Sequence, residues 1–183
     1  IEAAVQTESR KHSSDEYQSS ADVIDKVRLG IASSIKSNVN TVLGAEFFCC
    51  PAYDRTKPVH TFWDLGYGDM TAIWFAQSYG GWYNFIDYAE GNGRTLADWC
   101  ITLQQRGYVY GTDWLPHDGV DAIIHRRLTG DMSRSPEQML RAAGRQVRLA
   151  PKLEKTGRIN AARTIFPQCR FDAAKCSDGL QRL

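Results

Sequence analysis

The chain changes character near residue 59. Residues 1–22 are polar, rich in Ser, Glu and Gln, and show no apolar period; such a composition predicts an arm with no packed face of its own. Val23, Val27, Ile31 and Ile35 recur every four residues, which predicts a short amphipathic helix, weakened by Gly30 and several serines. Pro51 and Pro58 bracket a loop. From Val59 onward a period of two takes over. Residues 59–65 are β-branched and aromatic and end in Gly66-Tyr67-Gly68-Asp69, a strand followed by a turn. Residues 71–79 and 82–89 predict two further strands, and Gly80-Gly81 between them is a two-residue turn of the kind that closes a hairpin.

Helical spacing follows at Leu96, Trp99, Cys100 and Leu103, with Gly107 as the stop. Residues 108–115 return as a strand and run into Pro116-His117-Asp118. Ser135-Pro136-Glu137 predicts a helix start, with Ser135 as cap and Pro136 in the first helical position. A short strand at 146–149, a helix at 157–166, a strand at 170–171 and a helix from Ser177 complete the pattern. Hairpin strands followed by alternating units predict an α/β fold, a mixed sheet with helices on its faces. A helix joins the first and fourth strands, so these are expected to be parallel neighbours.

Composition excludes several classes. At 183 residues with 43% hydrophobic residues the chain can bury a core, and wholesale disorder is ruled out. Its longest apolar runs, such as residues 71–77, fall far short of the roughly 20 residues of a spanning helix, so no membrane partner is expected. No basic segment followed by an apolar one opens the chain, so no secretory signal is expected. The first residue is Ile1, and an upstream segment is expected. The five cysteines, Cys49, Cys50, Cys100, Cys169 and Cys176, contain no C-x-x-C pair. Zinc-ligand spacing is absent, and reduced thiols are expected.

The formal net charge of +1 conceals an asymmetry. Residues 59–125 carry two Lys/Arg against eight Asp/Glu, and residues 126–183 carry thirteen against five. An acidic middle beside an Arg-rich end suits a cation site next to a polyanion site; solvated helix faces give the same count.

Asp64 is the most informative residue, a carboxylate inside the apolar strand Thr61-Phe62-Trp63-Asp64-Leu65. Such a group is either capped or salt-bridged at a strand end, or bound to a cation. Asp69 follows across the glycine turn, where a plain turn role is the alternative. Asp118 comes just past the fourth strand, where a turn or helix-cap role is the alternative. With strands one and four adjacent, Asp64 and Asp118 converge, and a divalent cation relieves their repulsion. Oxygen ligands select Mg²⁺ or Mn²⁺ over zinc. Asp113 and Asp121 read as ordinary surface acids, and His117 as a turn or core histidine. Trp63, Trp74, Trp82 and Trp99 read as core.

The run Val59-His60-Thr61-Phe62-Trp63-Asp64-Leu65-Gly66-Tyr67-Gly68-Asp69-Met70-Thr71-Ala72-Ile73-Trp74-Phe75 resembles the nuclease domain of the large terminase subunit of tailed phages. The resemblance continues through Leu115-Pro116-His117-Asp118, residues 158–167, Phe171-Asp172 and residues 176–183, about 125 residues in all, and it does not extend to residues 1–50. It implies a ribonuclease-H-like fold and an endonuclease that cuts concatemeric viral double-stranded DNA during packaging, in the cytoplasm of an infected bacterium. The family's first and second acidic ligands fall on Asp64 and Asp118, which become the catalytic and metal residues, and Asp69 matches a further acid kept near the metal. The family's third main acid lies downstream of residues 176–183, so a domain spanning 59–183 is expected to be truncated at its C-terminus. The family also has an ATPase domain, and no G-x-x-x-x-G-K-[ST] occurs here. That domain, the terminase small subunit and the portal protein are the partners the resemblance implies. Lys152, Lys155, Arg158 and Arg163 flank a helix start expected at Thr156-Gly157 and are the expected phosphate contacts; an exposed basic helix is the alternative for each. A catalytically incomplete DNA-binding or docking fragment of the same fold, and a resolvase or transposase of the same superfamily, are the competing functions.

Overall fold

A computed structural model of the chain describes residues 51–182. The expected arm at 1–22, the helix at 23–35, Cys49 and Cys50 lie outside them. Six strands form one mixed sheet in the order β5-β4-β1-β2-β3-β6. They are β1 (Val59–Asp64), β2 (Thr71–Tyr79), β3 (Trp82–Gly91), β4 (Tyr110–Leu115), β5 (Gln146–Leu149) and β6 (Cys169–Phe171). β2 is antiparallel to both its neighbours, while β1–β4, β4–β5 and β3–β6 are parallel pairs. Among the described residues the helices are α1 (Leu96–Arg106), α2 (Arg126–Thr129), α3 (Pro136–Ala142), α4 (Lys155–Ile165) and α5 (Ser177–Arg182). This is the α/β, ribonuclease-H-like mixed sheet expected from the sequence, with β1 and β4 parallel neighbours.

Local chemistry sets the boundaries. Gly80 and Gly81 both have positive φ, 62° and 77°, the conformation a two-residue hairpin turn demands. Thr95 and Asp98 form a reciprocal capping box on α1, and Gly107, at φ 65°, ends it. Ser135 caps α3 with Pro136 in its first turn. α4 starts at Lys155 with Glu154 as its cap residue, two residues earlier than expected. The short helix α2 and the 3₁₀ turns at His117–Val120 and Phe166–Gln168 have no apolar period to announce them.

Alternation along the strands builds two cores, one on each face. Val59, Trp63, Ile73, Phe75 and Ile86 pack under α1, α2 and α3 through Leu96, Trp99, Leu103, Leu128 and Leu140. Phe62, Trp74, Phe85, Tyr88 and Trp114 pack under α4 and α5 through Ile165, Cys176 and Leu180. Trp63, Trp74 and Trp99 are core residues, as expected, whereas Trp82 is half-buried with the Arg170 guanidinium 3.7 Å over its ring. Gly179 of α5 lies flush on the second core: a Cβ there would come within 2.6 Å of the Trp74 ring. No helix among the described residues is long and apolar enough to cross a membrane.

His60 of β1 fits the second face at its far end. Its Nδ1 accepts the Thr112 N–H at 3.0 Å, and burial holds its pKa below the ordinary 6.5. The folded state therefore binds fewer protons here than the unfolded chain once the pH drops below about 6.5. Stability is expected to be level above pH 7 and to fall between pH 6.5 and the lower pH at which the folded imidazole titrates. Urea melts at pH 7.5, 6.0 and 5.0 check this against His60→Gln, which should show the shallower fall. Identical profiles in the two proteins would remove His60 as the cause.

Candidate active site

Parallel strands all end at one edge of a sheet, and Asp64 and Asp118 stand at or just past the ends of two of them. Asp64 is the last residue of β1, paired with Ala72 of β2. It has the parity of Phe62 and so stands at the end of the α4/α5 face, half-buried. The loop behind it is tightly drawn. The Thr71 hydroxyl donates to the Gly66 carbonyl and accepts from the Gly66 N–H at 3.2 Å. A Cβ on Gly66 would sit 3.0 Å from the Met70 carbonyl oxygen, so the glycine is a condition of the turn. The Gly93 N–H ties the same loop to the end of β3 through the Tyr67 carbonyl at 2.9 Å. Asp69 lies on the outside of this loop, exposed.

Asp118 arrives from the adjacent strand. β4 ends at Leu115, Pro116 turns the chain, and Asp118 is second in the 3₁₀ turn. The turn presses against the strand: a Cβ on Gly119 would lie 3.0 Å from that of Leu115. The register Phe62↔Trp114 brings the ends of β1 and β4 side by side, so Asp64 and Asp118 share one edge. The Asp118 carboxylate has 39% of its side chain exposed, and its Oδ2 is 3.7 Å from His125 Nε2. Its Oδ1 is buried and has no hydrogen-bond partner. A carboxylate oxygen withdrawn from water without a donor is a ready ligand for a hard cation, so Asp118 fits Mg²⁺ or Mn²⁺. Among the described residues, no three His, Cys, Asp or Glu side chains already converge as a metal cage. Two carboxylates form only part of an octahedral shell, an arrangement Mg²⁺ accepts because it keeps several waters.

Glu90 is an acid that the sequence pattern did not single out. It pairs across β3 with Ala72, so Asp64, Ala72 and Glu90 form one row on one face, with the small alanine between the two acids. Tyr88 donates its hydroxyl to Glu90 Oε2 at 2.8 Å, and Arg182 Nε lies 2.6 Å from the same oxygen. Burial, then the bond and charge of Glu90 and the charge of Asp64, push the Tyr88 hydroxyl well above its ordinary 10. Both acids thus act on one buried phenol.

Other expected sites resolve differently. Asp113, read from sequence as a surface acid, is 1% exposed and paired with Arg145; its parity turns it to the α1/α3 face, away from Asp64. Asp121 accepts the Ile123 and Ile124 N–H groups at 2.8 and 2.9 Å, a turn-capping role. His117 is exposed in its turn.

The basic residues divide. Ala150 donates to the Leu115 carbonyl at 2.8 Å, which places the exposed Lys152, two residues on, at the same edge as Asp118. Lys155 opens α4 and Arg158 follows within its first turn, whereas Arg163 is exposed in the last turn. At 1.5 Å per residue Arg163 is about 12 Å from the helix start. The cap position of α4 is held by Glu154, which makes no capping bond with its side chain and sets a negative charge beside the helix N-terminus.

No family model matches the chain, and no curated protein does. Solved structures do. The large terminase of a thermophilic bacteriophage, in complex with ATP-gamma-S, superposes with a TM-score of 0.53 at 12% identity, covering 68% of this chain and 31% of that one. Its ADP complex gives 0.51 at 12% identity over 72% and 32%, and a further structure of the same terminase 0.50 at 12% over 73% and 33%. This chain spans about a third of the length of those terminases. At that identity the likeness is one of architecture, and the α/β sheet described above is a terminase-like fold.

Proposed function

We propose that this chain is the nuclease part of a phage terminase large subunit, a divalent-cation-dependent endonuclease that cuts concatemeric viral double-stranded DNA during genome packaging in the infected bacterial cell. What supports the reading is that Asp64 ends β1 and Asp118 follows the end of β4, the adjacent parallel strand, with one oxygen of Asp118 buried and unpartnered. The two carboxylates would hold Mg²⁺ or Mn²⁺, which would supply an activated water and offset charge on the leaving oxygen. Asp64 would hold the site from the end of β1 and Asp118 from the turn that follows β4. Asp69, outside the loop, contributes charge from further away. Lys152 at the same edge and the basic residues of α4 hold backbone phosphates, with no base-reading element required. An ATPase domain, the small subunit and the portal protein are the partners this role requires.

The test is nicking of supercoiled plasmid by the full chain with Mn²⁺ or Mg²⁺, against EDTA. Only weak cation-dependent nicking is expected from two carboxylates, stronger with Mn²⁺ than with Mg²⁺. Binding of duplex DNA without nicking at any cation concentration would favour the second reading, an incomplete DNA-binding fragment of the same fold.

DNA affinity is expected to be electrostatic and indifferent to sequence. Its logarithm should fall linearly with that of the salt concentration, with a slope of about −0.9 per phosphate neutralised. Reversing the charges of Lys152, Lys155, Arg158 and Arg163 together should flatten the slope; reversal of Arg163 alone, a helix length away from the edge, should change it least. Fluorescence anisotropy across 50–300 mM salt checks this. Strong preference for one short duplex, or no salt dependence, would contradict it.

A further inference from the structure

The turn that carries Asp118 contains a second unsatisfied group. His125 is 6% exposed, and its Nε2 is buried with no hydrogen-bond partner. The acid it faces is Asp118, with Nε2 3.7 Å from Oδ2. The backbone holds the two together: the Asp121 N–H donates to the Asp118 carbonyl at 2.9 Å, and the His125 N–H to the Asp121 carbonyl at 3.3 Å. His125 is fixed from behind as well. Its carbonyl accepts the Thr129 N–H at 2.9 Å and the Thr129 hydroxyl at 3.2 Å, and Leu128 and Thr129 are themselves buried. The buried imidazole is thus held beside the Asp118 carboxylate.

We infer that His125 is a positioning residue for Asp118: its Nε2–H donates to one carboxylate oxygen, fixes the rotation of the group, and leaves the other oxygen for the cation. The inference rests on the metal reading of Asp118 above. A donor of this kind keeps a ligating carboxylate aimed, and its loss typically weakens metal binding by about 10- to 100-fold. It also fixes the imidazole tautomer, with the proton on Nε2.

Two measurements on the full chain test this. In the cation-free protein at pH 8, long-range ¹⁵N–¹H NMR of the histidine rings should show His125 as the Nε2–H tautomer, and Asp118→Asn should shift its ring nitrogens. Titration with Mn²⁺ followed by electron paramagnetic resonance should show His125→Leu binding at least tenfold more weakly than wild type. His125→Gln, which restores an N–H donor, should recover to within about threefold, with thermal midpoints recorded for each variant. Should His125→Leu not fold, the comparison of wild type with His125→Gln and the ring nitrogen shifts decide. Equal Mn²⁺ affinity in a folded His125→Leu protein, an Nδ1–H ring, or direct ¹⁴N coupling from His125 to bound Mn²⁺ would each overturn the assignment. A wild-type chain that binds no Mn²⁺ while His125 still responds to Asp118→Asn would instead overturn the metal reading and, with it, the positioning role, leaving a structural hydrogen bond.

Discussion

Asp64→Asn is expected to lower cation-dependent nicking by about a thousandfold or more while the protein stays folded, with a thermal midpoint within a few degrees of wild type. The proposed reaction would require a charged oxygen at this position, and cation stabilisation of a reacting phosphate is worth several kcal/mol, each step of about 1.4 kcal/mol being a factor of ten in rate. Asparagine keeps the volume of the side chain and removes its charge. The fold tolerates the exchange because Asp64 is half-buried at the very end of β1, beyond the Trp63↔Ile73 pair that locks the strand. Removing its charge also relieves Tyr88, whose hydroxyl that carboxylate helps to keep protonated. Asp69→Asn is the useful contrast: its carboxylate is exposed on the outside of the loop, and its loss should cost about tenfold or less. Unchanged nicking by a folded Asp64→Asn protein would sink the assignment of the site.

The position of Asp64 was legible because a charged residue in an apolar strand violates the burial pattern, and few physical arrangements permit that. The edge on which Asp118 falls was legible too: β3 runs parallel to β1, and the helix that carries the chain from β3 to β4 makes β4 parallel to both. Glu90 was not legible, for a specific reason. Counting back from the Gly80-Gly81 turn sets Ala89 opposite Ala72 and turns Glu90 to the α1 face. The register slips by one between Phe75 and Ala76, with Ile86 as the extra residue, and every side chain beyond it changes face. Asp87 and Ile86 thereby point to the same side, and Tyr88 and Glu90 join Asp64. His125 escaped for a different reason: α2 is a four-residue helix without an apolar period, and nothing in the sequence reports that its first turn folds back over Asp118. Asp113 was misread because alternation places it on a buried face, where an acid is costly until its partner is known, and Arg145 lies 32 residues away.

That pair sets the largest expected effect on stability. Asp113→Ala should destabilise the protein by about 3–5 kcal/mol, because it leaves a buried cation without its counter-charge. Arg145 has 13% of its side chain exposed and grips both carboxylate oxygens, through Nε to Oδ2 and through Nη2 to Oδ1 at 2.7 Å. Its guanidinium lies 4.6 Å over the Tyr110 ring, so it cannot withdraw to water without unpacking β4. The loss extends into β1. The Thr61 hydroxyl donates to Asp113 Oδ1 and accepts from Trp63 Nε1 at 2.8 Å, a chain of donors that ends on the carboxylate. Without it the Thr61 proton has no acceptor, in a place where both residues are sealed from solvent. Arg145→Ala should be comparably harmful, since it strands the anion. The double variant should lose at least about 1 kcal/mol less than the sum of the two, because the second change removes the group that the first left unpaired. Urea melts with unchanged m-values measure all three. The network occupies the face opposite Asp64, so Asp113→Ala, held well below its melting temperature, should bind Mn²⁺ as wild type does. A loss below about 1 kcal/mol would mean that Arg145 finds water or another acceptor, and the pair would then not be what holds β1, β4 and the turn before β5 together.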